Sequence, residues 1–151
     1  MTSVFPKKSL VMLPLLLGAA LSHAEPTTTL NQPAALLEAL DAGQKVSVTI
    51  DLSRCQPQAG GRPSQTKGGL LAIDAYRVLP DGTISFADTH FTASDSAAPL
   101  FQTLRYQVKV DGSVNFRQVL FNLPDYALVS QSSFNCTIGN GVEFRTARRG
   151  W

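Results

Sequence analysis

The residue types that carry acid, base or metal chemistry are scarce in this sequence, and three of them can meet. His90 stands two positions after Asp88, a spacing that puts both side chains on one face of a β-strand. A hairpin with Pro80-Asp81-Gly82 as its loop brings Asp74 opposite Asp88 on that face. A histidine oriented by a carboxylate can serve as a general base or hold a metal. The plainer alternative is a hydrogen-bonded structural cluster, or a strand end where the face has reached solvent. Structure is the more frequent role, since buried polar groups must find partners anyway. His23, the other histidine, falls in a leader segment, so a two-histidine metal site within the exported chain is excluded. Asp74, Asp88 and His90 are therefore a polar cluster with no catalytic, metal or cofactor role assigned, and an enzyme would rest on Asp88 and His90 alone.

Cys55 and Cys136 are the only cysteines. Without a Cys-x-x-Cys spacing they make a poor redox or zinc site, and in an exported chain two cysteines are more often bonded than free. Closing so long a loop is worth about 4.5 kcal/mol in the chain-entropy view. Other chemistry fails on pattern. There is no Gly-x-Ser-x-Gly elbow for a serine hydrolase, and Gly60-Gly61 and Gly68-Gly69 lack the Gly-Lys-Ser/Thr ending of a phosphate loop. Asn135-Cys136-Thr137 matches a glycosylation sequon, a pattern short enough to recur by chance.

The elements that must position these residues begin after an export signal. Lys7 and Lys8 precede an apolar run from Leu10 to Leu21, and Ser22-His23-Ala24 places small residues where a signal peptidase reads, so residues 1–24 are expected to be removed. The run is about 12 residues, short of the roughly 20 a spanning helix needs. No later stretch approaches that length, so no transmembrane segment is expected after cleavage. Lys and Arg number 13 against 11 Asp and Glu, and losing Lys7 and Lys8 equalises them. That balance gives no basis for a nucleic-acid surface. What remains is the size of one domain.

From Glu25 to Leu30 the chain is polar and Thr-rich, which predicts a loose terminus. Asn31 as cap, Pro33 in the first turn, Leu36, Leu37 and Leu40 on one side and Gly43 as stop predict a helix. The period then changes to two, with Val46, Val48, Ile50 and Leu52 alternating with polar residues. Gln56 to Gly69 holds Pro57, Pro63, four glycines and no acidic residue, and reads as a loop carrying Arg62 and Lys67.

An internal repeat follows. Tyr76-Arg-Val-Leu-Pro-Asp-Gly-Thr-Ile-Ser-Phe86, with Phe91 beyond it, lines up with Tyr106-Gln-Val-Lys-Val-Asp-Gly-Ser-Val-Asn-Phe116, with Phe121 beyond it. Each copy is a hairpin turning at Asp-Gly. A two-residue loop would oppose Arg77 to Phe86, mixing polar and apolar residues on both faces. Three-residue loops, Pro80–Gly82 and Val110–Gly112, oppose Val78 to Ile84, Tyr76 to Phe86, Val108 to Val114 and Tyr106 to Phe116. By the same logic Gly139-Asn140-Gly141 sets Ile138 against Val142 and Cys136 against Phe144. Asn122 to Ser133 reads as loop. Residues 145–151 read as a polar tail, with Arg145, Arg148, Arg149 and Trp151 either solvated or docked on an anionic surface. One helix and about seven strands in hairpins indicate a single, mainly β domain over residues 25–144, an antiparallel barrel or sandwich with an N-terminal helix.

Several segments carry a family resemblance: Ile50-Asp-Leu-Ser-Arg-Cys55, Gly68-Gly69, Ala75-Tyr76-Arg77, Asp81-Gly-Thr-Ile-Ser-Phe-Ala-Asp-Thr-His-Phe-Thr92, Leu104-Arg-Tyr106, Asp111-Gly-Ser113 and Leu123-Pro-Asp-Tyr126. They resemble the VirK family of exported proteins named from plant-associated bacteria, along nearly the whole exported chain. The resemblance implies a periplasmic or secreted protein linked to virulence on plants, and it brings no catalytic mechanism or cofactor to these positions. The expectation is a non-enzymatic accessory that binds a protein or envelope partner. A barrel carrying a small apolar ligand is the alternative, resting on Tyr76, Phe86, Tyr106 and Phe116 and requiring a cavity of about 300 Å³ or more.

Overall fold

The computed structural model describes residues 27–147, so the leader, the expected Glu25 terminus and Arg148, Arg149 and Trp151 lie outside the described residues. The described chain is mainly β with one helix. Its strands are β1 (Thr27–Leu30), β2 (Val46–Asp51), β3 (Gln56–Pro57), β4 (Lys67–Leu70), β5 (Arg77–Val78), β6 (Ile84–Ala93), β7 (Pro99–Val108), β8 (Ser113–Asn122), β9 (Leu128–Ile138) and β10 (Gly141–Ala147). They form one curled, half-barrel sheet in the order β4-β2-β10-β9-β8-β7-β6-β5, with β1 on β10 and β3 on β9.

The helix α1 spans Pro33–Asp41 and buries Leu36, Ala39 and Leu40, while Leu37 only half packs. Gln32 rather than Asn31 occupies its cap position, without a side-chain cap bond. Its end is a Schellman motif: Gln44 N–H donates to the Ala39 carbonyl, Gly43 N–H donates to Leu40, and Gly43 takes φ 64°. β2 keeps the period-two pattern, burying Val46, Val48 and Ile50.

Both Asp-Gly hairpins have the register that apolar pairing selects. Val78 opposes Ile84, Val108 opposes Val114 and Tyr106 opposes Phe116. Gly82 and Gly112 sit at φ 79° and 82°, closing three-residue loops through Leu79–Thr83 and Lys109–Ser113 backbone bonds.

Four expectations are corrected. The Thr-rich terminus is strand β1, paired with β10 from Thr27–Ala147 to Leu30–Phe144, because backbone pairing needs no apolar pattern. Gln56 to Gly69 contains β3 and β4 rather than being loop throughout, and β4 pairs with β2. Half of Asn122 to Ser133, from Leu128 onward, belongs to β9 and completes the β8–β9 ladder. The strand that should have ended at Phe144 runs to Ala147, so Arg145 is a strand residue bound to Glu143 at 2.7 Å.

The third hairpin is also differently built. Cys136 opposes Val114 of β8, not Phe144. Phe144 is flanked by Leu30 on one side and Val48 on the other, so β10 has both its edges occupied and touches β9 only at Gly141 and Val142. The Cys55–Cys136 disulfide, spanning 81 positions, ties the turn between β2 and β3 to β9 at this junction. A Cβ at Gly141 would lie 2.6 Å from the Cys55 sulfur, so the close pass of the bridge requires glycine there. The core fills the concave side. Phe86 stacks on Tyr106 at 4.8 Å, Tyr106 meets Phe116 at 4.9 Å, and Phe86 meets Phe144 edge-on at 6.2 Å, joining the two halves of the sheet.

Candidate functional site

The polar cluster assembles only in part. His90 Nδ1 lies 3.3 Å from Asp88 Oδ2, with both side chains more than a third exposed, a contact worth little to stability. β5 pairs with β6 only over Arg77 and Val78, so the register that would carry Asp74 to Asp88 stops short, and Asp74 is exposed. The Tyr76 hydroxyl donates to Asp41 instead of joining Asp88. Among the described residues no three His, Cys, Asp or Glu side chains gather so as to hold a metal.

The outer face of the β6–β9 ladder carries a more extended arrangement. Phe91 opposes Phe101, Phe101 opposes Phe121, and a register shift after Leu120 brings Leu128 opposite Phe121. The result is an apolar row across four strands. Phe91 is 73% exposed and Leu128 57%, and Tyr126 packs edge-on against Phe101 at 5.7 Å. On the same face Arg105 stands directly opposite Arg117. Like charges so placed repel. Neither forms an ion pair among the described residues, and Arg117 only donates to Gln131 at 2.6 Å. The outward positions of β6, β7 and β8 bear no carboxylate. Past Ser85 no strand among the described residues lies beside the far edge of β6, whose backbone groups through Ala93 pair with none of them on that side.

Sequence reasoning missed this face although a signal was present. Phe91 follows Phe86 at an odd spacing, as Phe121 follows Phe116, so each pair must divide between the two faces.

On the inner side a cleft of about 230 Å³ runs between β4 and the β7–β8 strands, with Ile50, Leu104, Phe116, Gln102, Gln118 and Tyr106 among its walls. It is smaller than the space a carried apolar ligand requires, whereas an open hollow of about 470 Å³ beside Tyr76, Arg77, Phe86 and Arg105 exceeds that volume. Phe86 stacks on Tyr106 and Tyr106 meets Phe116, while Tyr106 and Phe116 also form part of the cleft wall. Burial, and then the Asp88 carboxylate, push the Tyr106 hydroxyl upward from its ordinary value, so it stays protonated.

Comparison with known proteins agrees with this architecture. A crystal structure of a VirK family protein from Legionella pneumophila superposes with a TM-score of 0.67 at 20% identity, covering 77% of this chain and 97% of that one. An uncharacterized protein in the pinF2 3' region of Rhizobium radiobacter is 37% identical over 138 residues, 91% of this chain and 95% of its own length. The uncharacterized protein y4wH of Sinorhizobium fredii is 42% identical over 110 residues, covering 72% of this chain and 76% of its own. The family model described as VirK protein matches residues 29–126, and with relatives this similar along nearly the whole chain, the protein belongs to the VirK family.

Proposed function

We propose that this chain is an exported, non-enzymatic accessory protein of virulence that acts by binding a protein partner through the outer face of β6–β9. The observation that carries the reading is the outward apolar row Phe91, Phe101, Phe121 and Leu128, exposed at Phe91 and Leu128 and half-buried at Phe101 and Phe121. Exposed rows of this kind mark interaction surfaces. Charge complementarity gives the partner its chemistry, because the facing Arg105 and Arg117 call for carboxylates that this face lacks. The open β6 edge favours an extended peptide segment over a lipid surface, since an added strand would pair its backbone groups. The disulfide is compatible with export.

A photo-crosslinking amino acid at Phe91, compared with one at the exposed Val110 in the distant β7–β8 turn, tests this in the living bacterium. The expected result is a covalent protein adduct from position 91 alone, lost when Arg105 and Arg117 are both changed to Glu. Equal adducts from both positions, none from either, or a species of twice the chain's own mass would contradict it.

A further inference from the structure

Strand β6 is paired along its whole length with β7 on one edge, and with β5 on the other edge only at Ile84 and Ser85. Backbone groups of successive residues in such a ladder point to opposite edges. Ser94 N–H donates to the Ala98 carbonyl across the β6–β7 hairpin, so the even-numbered residues of β6 face β7. The N–H and C=O groups of Ala87, Thr89, Phe91 and Ala93 therefore face the other edge, where no strand among the described residues pairs with them.

At the start of this edge, where β5 departs, lies the open hollow of about 470 Å³, with Tyr76, Arg77, Phe86, Ala87 and Arg105 among its walls. No carboxylate lines it, and neither Arg77 nor Arg105 forms an ion pair among the described residues. We propose that β6 captures the C-terminal tail of its partner as an added antiparallel strand, with the tail's terminal carboxylate in this hollow beside Arg77 and Arg105. The inference rests on the proposed docking face and names the part of the partner that the face takes.

The need for a chain end follows from the register. Arg77 already occupies the place opposite Ser85, so a strand laid along Ala87 to Ala93 finds its lane closed beyond Ala87 and must end or turn away at the hollow. Charge sets the direction. An antiparallel strand ends at Ala87 with a carboxylate beside two guanidinium groups, whereas a parallel one would set an N-terminal ammonium against them. The last residue of the tail then stands opposite Ala87, the next-to-last opposite Asp88 and the fifth from the end opposite Phe91. Asp88 favours a basic side chain beside it, and the exposed Phe91 an apolar one.

The probe is the peptide acetyl-Thr-Thr-Val-Thr-Thr-Lys-Val with a free C-terminal carboxylate, compared with its C-terminal amide by ¹⁵N NMR titration of the exported protein. The acid is expected to bind about tenfold more tightly than the amide, the worth of a hydrogen bond to a charged group. Binding should slow hydrogen exchange at the edge-facing amides of Ala87, Thr89 and Phe91 and leave Asp88 and His90, which face β7, unchanged. Arg77→Gln with Arg105→Gln should lower the acid to the affinity of the amide, while Lys109→Gln in the β7–β8 turn leaves the difference in place. Equal affinity of acid and amide in the parent protein, or slowed exchange without that alternation, would overturn terminal capture. If position 91 still gives its covalent adduct in that case, the docking face stands and only the partner's terminus is withdrawn. Edge amides already protected in a free protein of twice the chain's mass would assign the edge to a second copy and overturn the proposal as well.

Discussion

In each Asp-Gly turn two adjacent residues meet different needs. Asp81 Oδ1 accepts from Thr83 N–H at 3.0 Å, and Asp111 Oδ1 accepts from Ser113 N–H at 2.8 Å, a role serine can also fill. Gly82 supplies a left-handed backbone, and a Cβ added there would lie 2.7 Å from Val110 Cγ1. Gly82→Val is therefore expected to cost about 1–3 kcal/mol, and Asp81→Ser less than about 1 kcal/mol. Urea unfolding of the two variants checks the difference, and equal midpoints would show that the turn is not strained by a side chain. This much was legible in the sequence, because glycine spacing and the pairing of apolar residues point to the same loop length. The Asp74–Asp88 meeting was not, because it needed β5 to continue past Arg77, and strand length depends on partners the local pattern does not name.

Among elements, the β9–β10 junction shows where local reasoning stops. Gly139 and Gly141 mark a turn correctly, both at positive φ, but β10 is claimed on its two edges by β1 and β2 from the other end of the chain. Long-range pairing of this kind leaves no periodic trace. β3 and β4 were hidden for a related reason, since Pro57 and Gly68-Gly69 are poor strand formers held in place by their neighbours. The disulfide secures this junction, with Cys55 and Cys136 both buried. Cys136→Ser is expected to lower stability by about 2–5 kcal/mol. Thermal unfolding of that variant beside the parent, with thiol titration of the denatured parent, checks both parts. Two titratable thiols in the parent or an unchanged Tm would refute the pairing or its weight.

Across the whole molecule, three carboxylates give stability an acid limit. Lys67, and then Ser53, hold Asp51 down from 3.8 to about 2. The Thr83 backbone N–H lowers Asp81, and the Ser113 hydroxyl lowers Asp111. A group more acidic in the folded state contributes stability above its unfolded pKa and loses it as pH falls through the folded one. Tm should therefore stay level down to about pH 4 and decline toward about pH 2. The decline should be shallower in Asp51→Asn. A decline of the same steepness in that variant would remove Asp51 from the account.

The half-barrel has one side committed to a core and the other left with an apolar row that no described segment covers. The claim that this row exists for a partner is tested most directly by Phe91→Asp combined with Leu128→Asp. Secreted yield, Tm and virulence of a strain carrying the variant are measured together. Both side chains are largely exposed, so folding should lose no more than about 1 kcal/mol. The account predicts parental yield, a Tm within a few degrees of the parent and a loss of virulence. Full virulence with both aspartates in place, or a loss that merely follows the amount of folded protein secreted, would contradict it.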